Sequence, residues 1–223
     1  MPTFTDIQQF FTLNFKKTAG FFVIFYGVGI AGMLLQFSFP LFVKLIPIAL
    51  LLSSIALVFF HSNFDPKTLA VCTFIYLVGF FVEVLGVNTG LIFGEYIYGE
   101  SLGIKAFNTP LIIGLNWLLL VYITSSVLEN TKLLVPVKVL LGASMMLVYD
   151  LIIEQIAPKL DMWDWQNNRI PIDNYVAWFL IAALFHAAIQ IFKIKTTNKL
   201  APVILVCQVL FFLVLLIYFK LSH

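Results

Sequence analysis

The chain has 223 residues, of which 61% are hydrophobic, 16% aromatic and only 11% charged, with a formal net charge of +2. A globular domain carries roughly 25% charged residues, so a water-solvated fold is excluded, and so small a net charge offers nothing to nucleic acid. At about 20 apolar residues per bilayer crossing, the length holds one transmembrane domain, residues 1–223, with about seven spans.

In chain order, residues 1–18 place Phe4, Ile7, Phe11 and Phe15 at roughly helical spacing beside polar neighbours. This pattern reads either as a surface helix in the membrane interface or as a disordered leader. Lys16 and Lys17 precede an apolar run in the manner of a signal peptide. That run is long and ends in Gln36-Phe-Ser-Phe-Pro without a small-x-small cleavage site, so it reads as the first span. Low-polarity runs give spans near 19–36, 41–60, 69–92, 109–128, 133–153, 174–193 and 200–219. Strict period-two alternation over whole segments is absent, so the spans are helices and the fold class is an all-α, polytopic transmembrane bundle.

Sorting the basic residues between alternate connections puts eight on the N-terminal side and five on the other. The bias places the N-terminus in the cytoplasm and the C-terminus outside, in a membrane expected to be the bacterial cytoplasmic membrane. Cys72 and Cys207 fall inside apolar runs without ligand spacing and read as core thiols; no metal site is expected.

Ionisable residues at membrane depth are costly and become functional candidates. Glu83 sits near the middle of the third span. Gly79, Gly86, Gly90 and Gly94 recur at helical spacing beside it, a small-residue ridge that would turn the carboxylate into the bundle. The plainer role is a protonated side chain joining two helices. Asp150 and Glu154 at the end of the fifth span are four apart and share a helix face. Two carboxylates so close in a poorly hydrated place cannot both ionise easily, which makes one a candidate general acid; a solvated helix end is the alternative.

The following connection, 161–175, is the most polar stretch and carries Trp163 and Trp165. Taken singly, these suit the aromatic belt. Beside Tyr96 and Tyr98, and with acids nearby, aromatic faces also suit carbocation chemistry on an alkene. Asn116 beside Trp117 is a further polar position inside a span, and His186, with Gln190 one turn on, reads as an interhelical hydrogen-bond partner.

The run from Glu83 through Gly103, then Thr109-Pro-Leu-Ile-Ile-Gly-Leu-Asn-Trp, Tyr149-Asp-Leu-Ile-Ile-Glu, Trp163-Asp-Trp and Ile170-Pro-Ile-Asp-Asn-Tyr with Trp178 resembles the membrane-bound carotenoid 1,2-hydratase family, over about residues 79–180. The resemblance implies water addition across the terminal double bond of an acyclic carotenoid end group, giving a tertiary alcohol without a cofactor. It implies Glu83, Asp150 and Glu154 as catalytic acids, with Tyr96, Tyr98, Asn116, Trp117, Trp163, Trp165, Asn174 and Trp178 around the substrate. Implied partners are the lipid-soluble carotenoid, water, membrane lipids and other enzymes of the carotenoid pathway. Two positions depart from the pattern: Gln155 stands where the family has proline, and Asn108-Thr-Pro replaces Gly-Val-Pro. Glu95 falls at a permissive position.

Two other readings share these features. An end-group cyclase begins with the same protonation, but a second alkene captures the cation. A small transporter would also carry intramembrane carboxylates, although no paired repeats or matching broken helices are evident. A retinal photoreceptor would need a lysine deep in the last span, where only Lys220 at its end is found.

Overall fold

A computed structural model describes residues 3–221, and among them nine α-helices and four very short strands. Residues 1–2 of the 1–18 segment, and 222–223 at the other end, lie outside the described residues. The helices are α1 (Phe4–Leu13), α2 (Phe15–Leu34), α3 (Phe39–Lys44), α4 (Ile46–Phe60), α5 (Pro66–Thr89), α6 (Ile112–Glu129), α7 (Val135–Ile153), α8 (Ile172–Ile191) and α9 (Ala201–Leu221). Strands β1 (Tyr96–Tyr98), β2 (Lys105–Ala106) and β3 (Thr109–Pro110) follow α5, and β4 (Trp163–Trp165) lies between α7 and α8.

Six helices, α2 and α5 to α9, are long and apolar enough to cross a membrane. The expected span 41–60 is broken. Pro47 in the first turn of α4 has no N–H with which to continue the helix from α3, and the chain resets at Leu45. The remaining α4 has 15 residues, about 22 Å of helix against a hydrocarbon core of roughly 30 Å.

Contacts sort the helix ends into two groups. At one end, Gln8 Nε2 donates to His61 O (2.7 Å), and Asn198 Nδ2 donates to Leu57 O (2.9 Å) and to Tyr122 Oη (3.1 Å). Thr196 Oγ1 donates to Glu129 (3.0 Å) there, and Lys138 Nζ to Glu129 O (2.8 Å). At the other end, the Tyr218 hydroxyl donates to Leu34 O (3.4 Å) and the rings of Phe39 and Phe219 meet at 6.1 Å. Helices α2, α5, α7 and α9 therefore run one way and α4, α6 and α8 the other, with α3 and α4 together standing where the second of the seven expected spans was placed.

Local signals set the limits of α5. Asp65 caps its first turn by accepting from the Thr68 N–H (2.7 Å), Pro66 occupies the first position, and Gly90 ends it at φ +67°. Gly90 and Gly94 thus lie beyond the helix, and the expected four-glycine ridge is shorter than its spacing suggests. The two glycines that remain helical make slots for aromatic rings: a Cβ on Gly79 would stand 2.8 Å from Trp117 Cβ, and one on Gly86 would collide with the Phe93 ring. Residues 4–13, which the sequence left open between helix and disorder, form α1 with a capping box between Thr3 and Asp6, and Phe11 stacks on Phe59 of α4 at 4.8 Å.

Asn198 holds the end opposite the ribbon strands, using its amide as donor twice and its Oδ1 as acceptor for Leu200 N–H (3.0 Å). Asn198→Ala removes the partner of Leu57 O and of the Leu200 N–H and leaves the Tyr122 hydroxyl with His61 alone, and we expect a loss of about 1–3 kcal/mol in detergent, read as a lowered melting temperature. A melting point equal to wild type would mean that other groups replace these bonds.

Candidate active site

The centre of the site is assembled by two three-residue strands. β1 and β4 pair antiparallel, with Tyr96 opposite Trp165, Ile97 opposite Asp164 and Tyr98 opposite Trp163. Side chains alternate across a strand, so the two tyrosines and two tryptophans share the inner face, while Ile97 and Asp164 point outward and are exposed. The ladder is extended by Gln166 N–H to Glu95 O (3.0 Å) and Gly99 N–H to Met162 O (3.0 Å). Asp161 turns the chain just before it at φ +51°, and its carboxylate and carbonyl accept from the N–H groups of Glu100 and Ser101.

Beneath this ribbon, Glu83 of α5 is buried and receives three donors. The hydroxyls of Tyr96 and Tyr98 both donate to Oε2 at 2.7 Å, and Trp117 Nε1 donates to Oε1 at 3.0 Å. Burial, with Glu83 beside them, pushes both phenols up, so they remain protonated donors. Trp117 also stacks on Trp178 of α8, with ring centroids 4.1 Å apart.

Glu154, one residue past the last turn of α7, has a matching set. Trp163 Nε1 (3.0 Å) and Trp165 Nε1 (2.6 Å) donate to Oε2, and Asn174 Nδ2 (3.1 Å) to Oε1. The same Asn174 amide donates to Asp150 Oδ2 at 3.1 Å. One amide nitrogen with two hydrogens therefore ties the two carboxyls that helical spacing places on one face. Burial pushes the Glu154 carboxyl up to about 7, the indole hydrogen bonds pull the other way, and Glu83 adds to the rise.

Glu83 and Glu154 face a common cavity of about 20 Å³, enough for one water, whose other walls include Tyr96, Tyr98, Asn116, Trp163, Trp165, Asn174 and Trp178. Asp150 does not line it and stands behind Asn174. Trp117 also lies outside the lining, reaching the site through its bond to Glu83. Phe93 and Ile113 complete the walls; as apolar residues they carry no sequence signal that separates them from ordinary core. On the outer side of Tyr96 and Trp165 opens a depression of about 430 Å³, lined by Asn88, Thr89, Glu95, Asp164 and Gln166 among others.

A family model described as carotenoid biosynthesis protein matches residues 43–222. The chain belongs to the carotenoid biosynthesis protein family. No curated protein and no solved structure matches it. As a member of that family, this carotenoid biosynthesis protein has a role in making carotenoids, and its apolar helices mark it as a membrane protein. The matched region contains all eleven cavity residues and leaves α1 and α2 outside.

The two departures from the resemblance have local accounts. Asn108 adopts φ +63°, a conformation that Asn tolerates better than most residues, and its side chain donates to Asn88 at the end of α5 (2.8 Å). Gln155 is exposed in the turn after α7 and points no group at the cavity. His186 bridges α8 to Thr124 of α6 (2.9 Å) and to Ala182 O (2.7 Å), away from the site. Among the described residues, no group of His, Cys, Asp and Glu side chains has the geometry of a metal site.

Proposed function

We propose that this protein hydrates the terminal carbon-carbon double bond of an acyclic carotenoid end group. The observation that carries the reading is the single small cavity with a carboxyl on each side, Glu83 and Glu154, and aromatic faces between them. Glu154 is the proton source: burial, with Glu83 across the cavity, disfavours its charge, so it holds its proton up to about pH 7. It protonates the less substituted alkene carbon, and the positive charge forms on the carbon bearing two methyl groups. The faces of Trp163, Trp165 and Trp178 and the Glu83 carboxylate stabilise that cation. Water attacks the cation, and Glu83 accepts the proton released as the C–O bond forms. Exchange with water then returns Glu83 to its carboxylate and Glu154 to its acid, so the net reaction adds one water and needs no cofactor.

Access follows from the architecture. The cavity has room for one water, so the end group enters only as the β1–β4 ribbon and its tryptophans move outward. The polar depression outside Tyr96 and Trp165 supplies water from headgroup level. A polyene of bilayer dimensions, roughly 30 Å, lying along the bundle would present its end there. The basic-residue bias puts this face opposite the cytoplasm.

The test is expression in cells that make lycopene or another acyclic carotenoid, with pigments separated by chromatography and weighed by mass spectrometry. A mass gain of one water is the expected result. Unchanged mass with altered retention would assign cyclisation instead, and unchanged pigment would count against both. Within this reading, Trp163→Leu and Trp165→Leu each remove a face and an indole N–H, and each should lower turnover about tenfold at equal protein level. Unaltered yield would return the two tryptophans to the aromatic belt.

A further inference from the structure

A second cavity, of about 300 Å³, opens between α2, α4 and α9, and its walls carry no charged side chain. Tyr26 and Gln208 are the wall residues with hydrogen-bonding side chains. The polarity of their hydrogen bonds can be read from the backbone outward. Ser53 Oγ donates to Ala49 O (2.8 Å), which leaves it to accept from the Tyr26 hydroxyl (2.9 Å). Tyr26 has then given its one proton and has none left for the Gln208 amide. Gln208 Oε1 is left at the end of the chain as a buried acceptor without a partner, on a residue only 2% exposed.

A buried acceptor without a donor is destabilising, and a ligand that supplies a donor recovers the loss. The uncharged walls exclude phospholipid headgroups, fatty-acid carboxylates and amines. What fits is an apolar chain that carries a hydroxyl. The cavity is also one aromatic layer from the candidate site: Phe212 in its wall packs edge-on against Tyr149 (5.8 Å), the residue before Asp150.

We propose that the α2/α4/α9 cavity is a separate binding site for the hydroxyl-bearing end of an isoprenoid alcohol, with the hydroxyl donating to Gln208 Oε1 after a small rotation of the amide. That the natural occupant is the tertiary alcohol formed by hydration rests on the reading above; the site itself does not.

The experiment uses the full chain in phosphatidylcholine nanodiscs. Two probes are compared, a branched isoprenoid tertiary alcohol and the hydrocarbon of the same skeleton, each with a photoactivatable diazirine at the far end. The alcohol should label α2, α4 and α9 about tenfold more efficiently than the hydrocarbon. Gln208→Leu should abolish that preference while the hydrocarbon still labels the same helices, which shows the cavity intact. Ala49→Phe, which fills the cavity, should reduce labelling by both probes. Equal labelling in wild type, preference surviving in Gln208→Leu, or labels falling on other helices would overturn the site, leaving lipid contact or a bound water as its occupant. Labelling requires no turnover. A Glu154→Gln protein that keeps the preference would separate this site from any failure of the hydration chemistry.

Discussion

Glu154→Gln is expected to lower hydrated product by at least about a hundredfold while the protein remains inserted and abundant, because the amide preserves shape and its oxygen can still accept from the two indoles, but it has no transferable proton. The wild-type pH profile supplies the second half of this prediction. Glu154 is raised by burial to about 7 from the ordinary 4.5, and the acid form is the active one. Turnover in membranes should therefore be sustained below pH 7 and fall as pH rises through about 7. Stability follows the same sign: the contribution of this group is fully present below its unfolded value and is lost as pH rises through the folded one. A profile flat from pH 5 to pH 9, or a Gln variant with full activity, would remove Glu154 from the role of acid. Asp150→Asn should act more mildly, since Asp150 reaches the cavity only through Asn174.

The second large effect is expected at a residue with no chemistry of its own. Gly79→Leu brings a side chain to a point where even its Cβ is 2.8 Å from Trp117. Trp117 is completely buried, donates to Glu83 and stacks on Trp178, so it has nowhere to yield without breaking both contacts. Overpacking of this kind costs about 1–3 kcal/mol. We expect a lower melting temperature in detergent together with a loss of turnover of about tenfold or more, from the displaced donor on Glu83. Gly20, which has open space at its Cβ, is the control: Gly20→Leu should leave melting and turnover near wild type. If Gly79→Leu behaved like that control, the slot assigned to Trp117 would be wrong.

The site is split between what composition reveals and what pairing creates. Glu83 stands out in the sequence because a carboxylate is costly inside an apolar run, and the i, i+4 spacing of Asp150 and Glu154 follows from helix geometry alone. The alternation in Tyr96-Ile-Tyr and Trp163-Asp-Trp was also present, but three residues are too few to separate a strand from a loop. Only the antiparallel register shows that all four aromatic side chains face inward. Nothing local could indicate that Trp117 and both tyrosines converge on Glu83, or that Asn174 stands between Asp150 and Glu154, since these contacts join segments 13 to 34 residues apart.

By itself the sequence determined that the chain lives in a membrane as a helical bundle, because hydrocarbon leaves the backbone no partner outside its own segment and the apolar runs are long enough to cross. It also determined which buried carboxyls are expensive enough to need a reason. Tertiary structure decided the rest: that α3 and α4 break at Leu45, that Asp150 stands behind the cavity while Glu83 and Glu154 face it, and that of the four glycines Gly79 seats Trp117 of α6 and Gly86 the Phe93 ring while Gly90 and Gly94 lie beyond the helix. The physical reason is range. Burial cost and helical periodicity are properties of a single segment, whereas a hydrogen bond between side chains on different helices exists only after packing has brought them together.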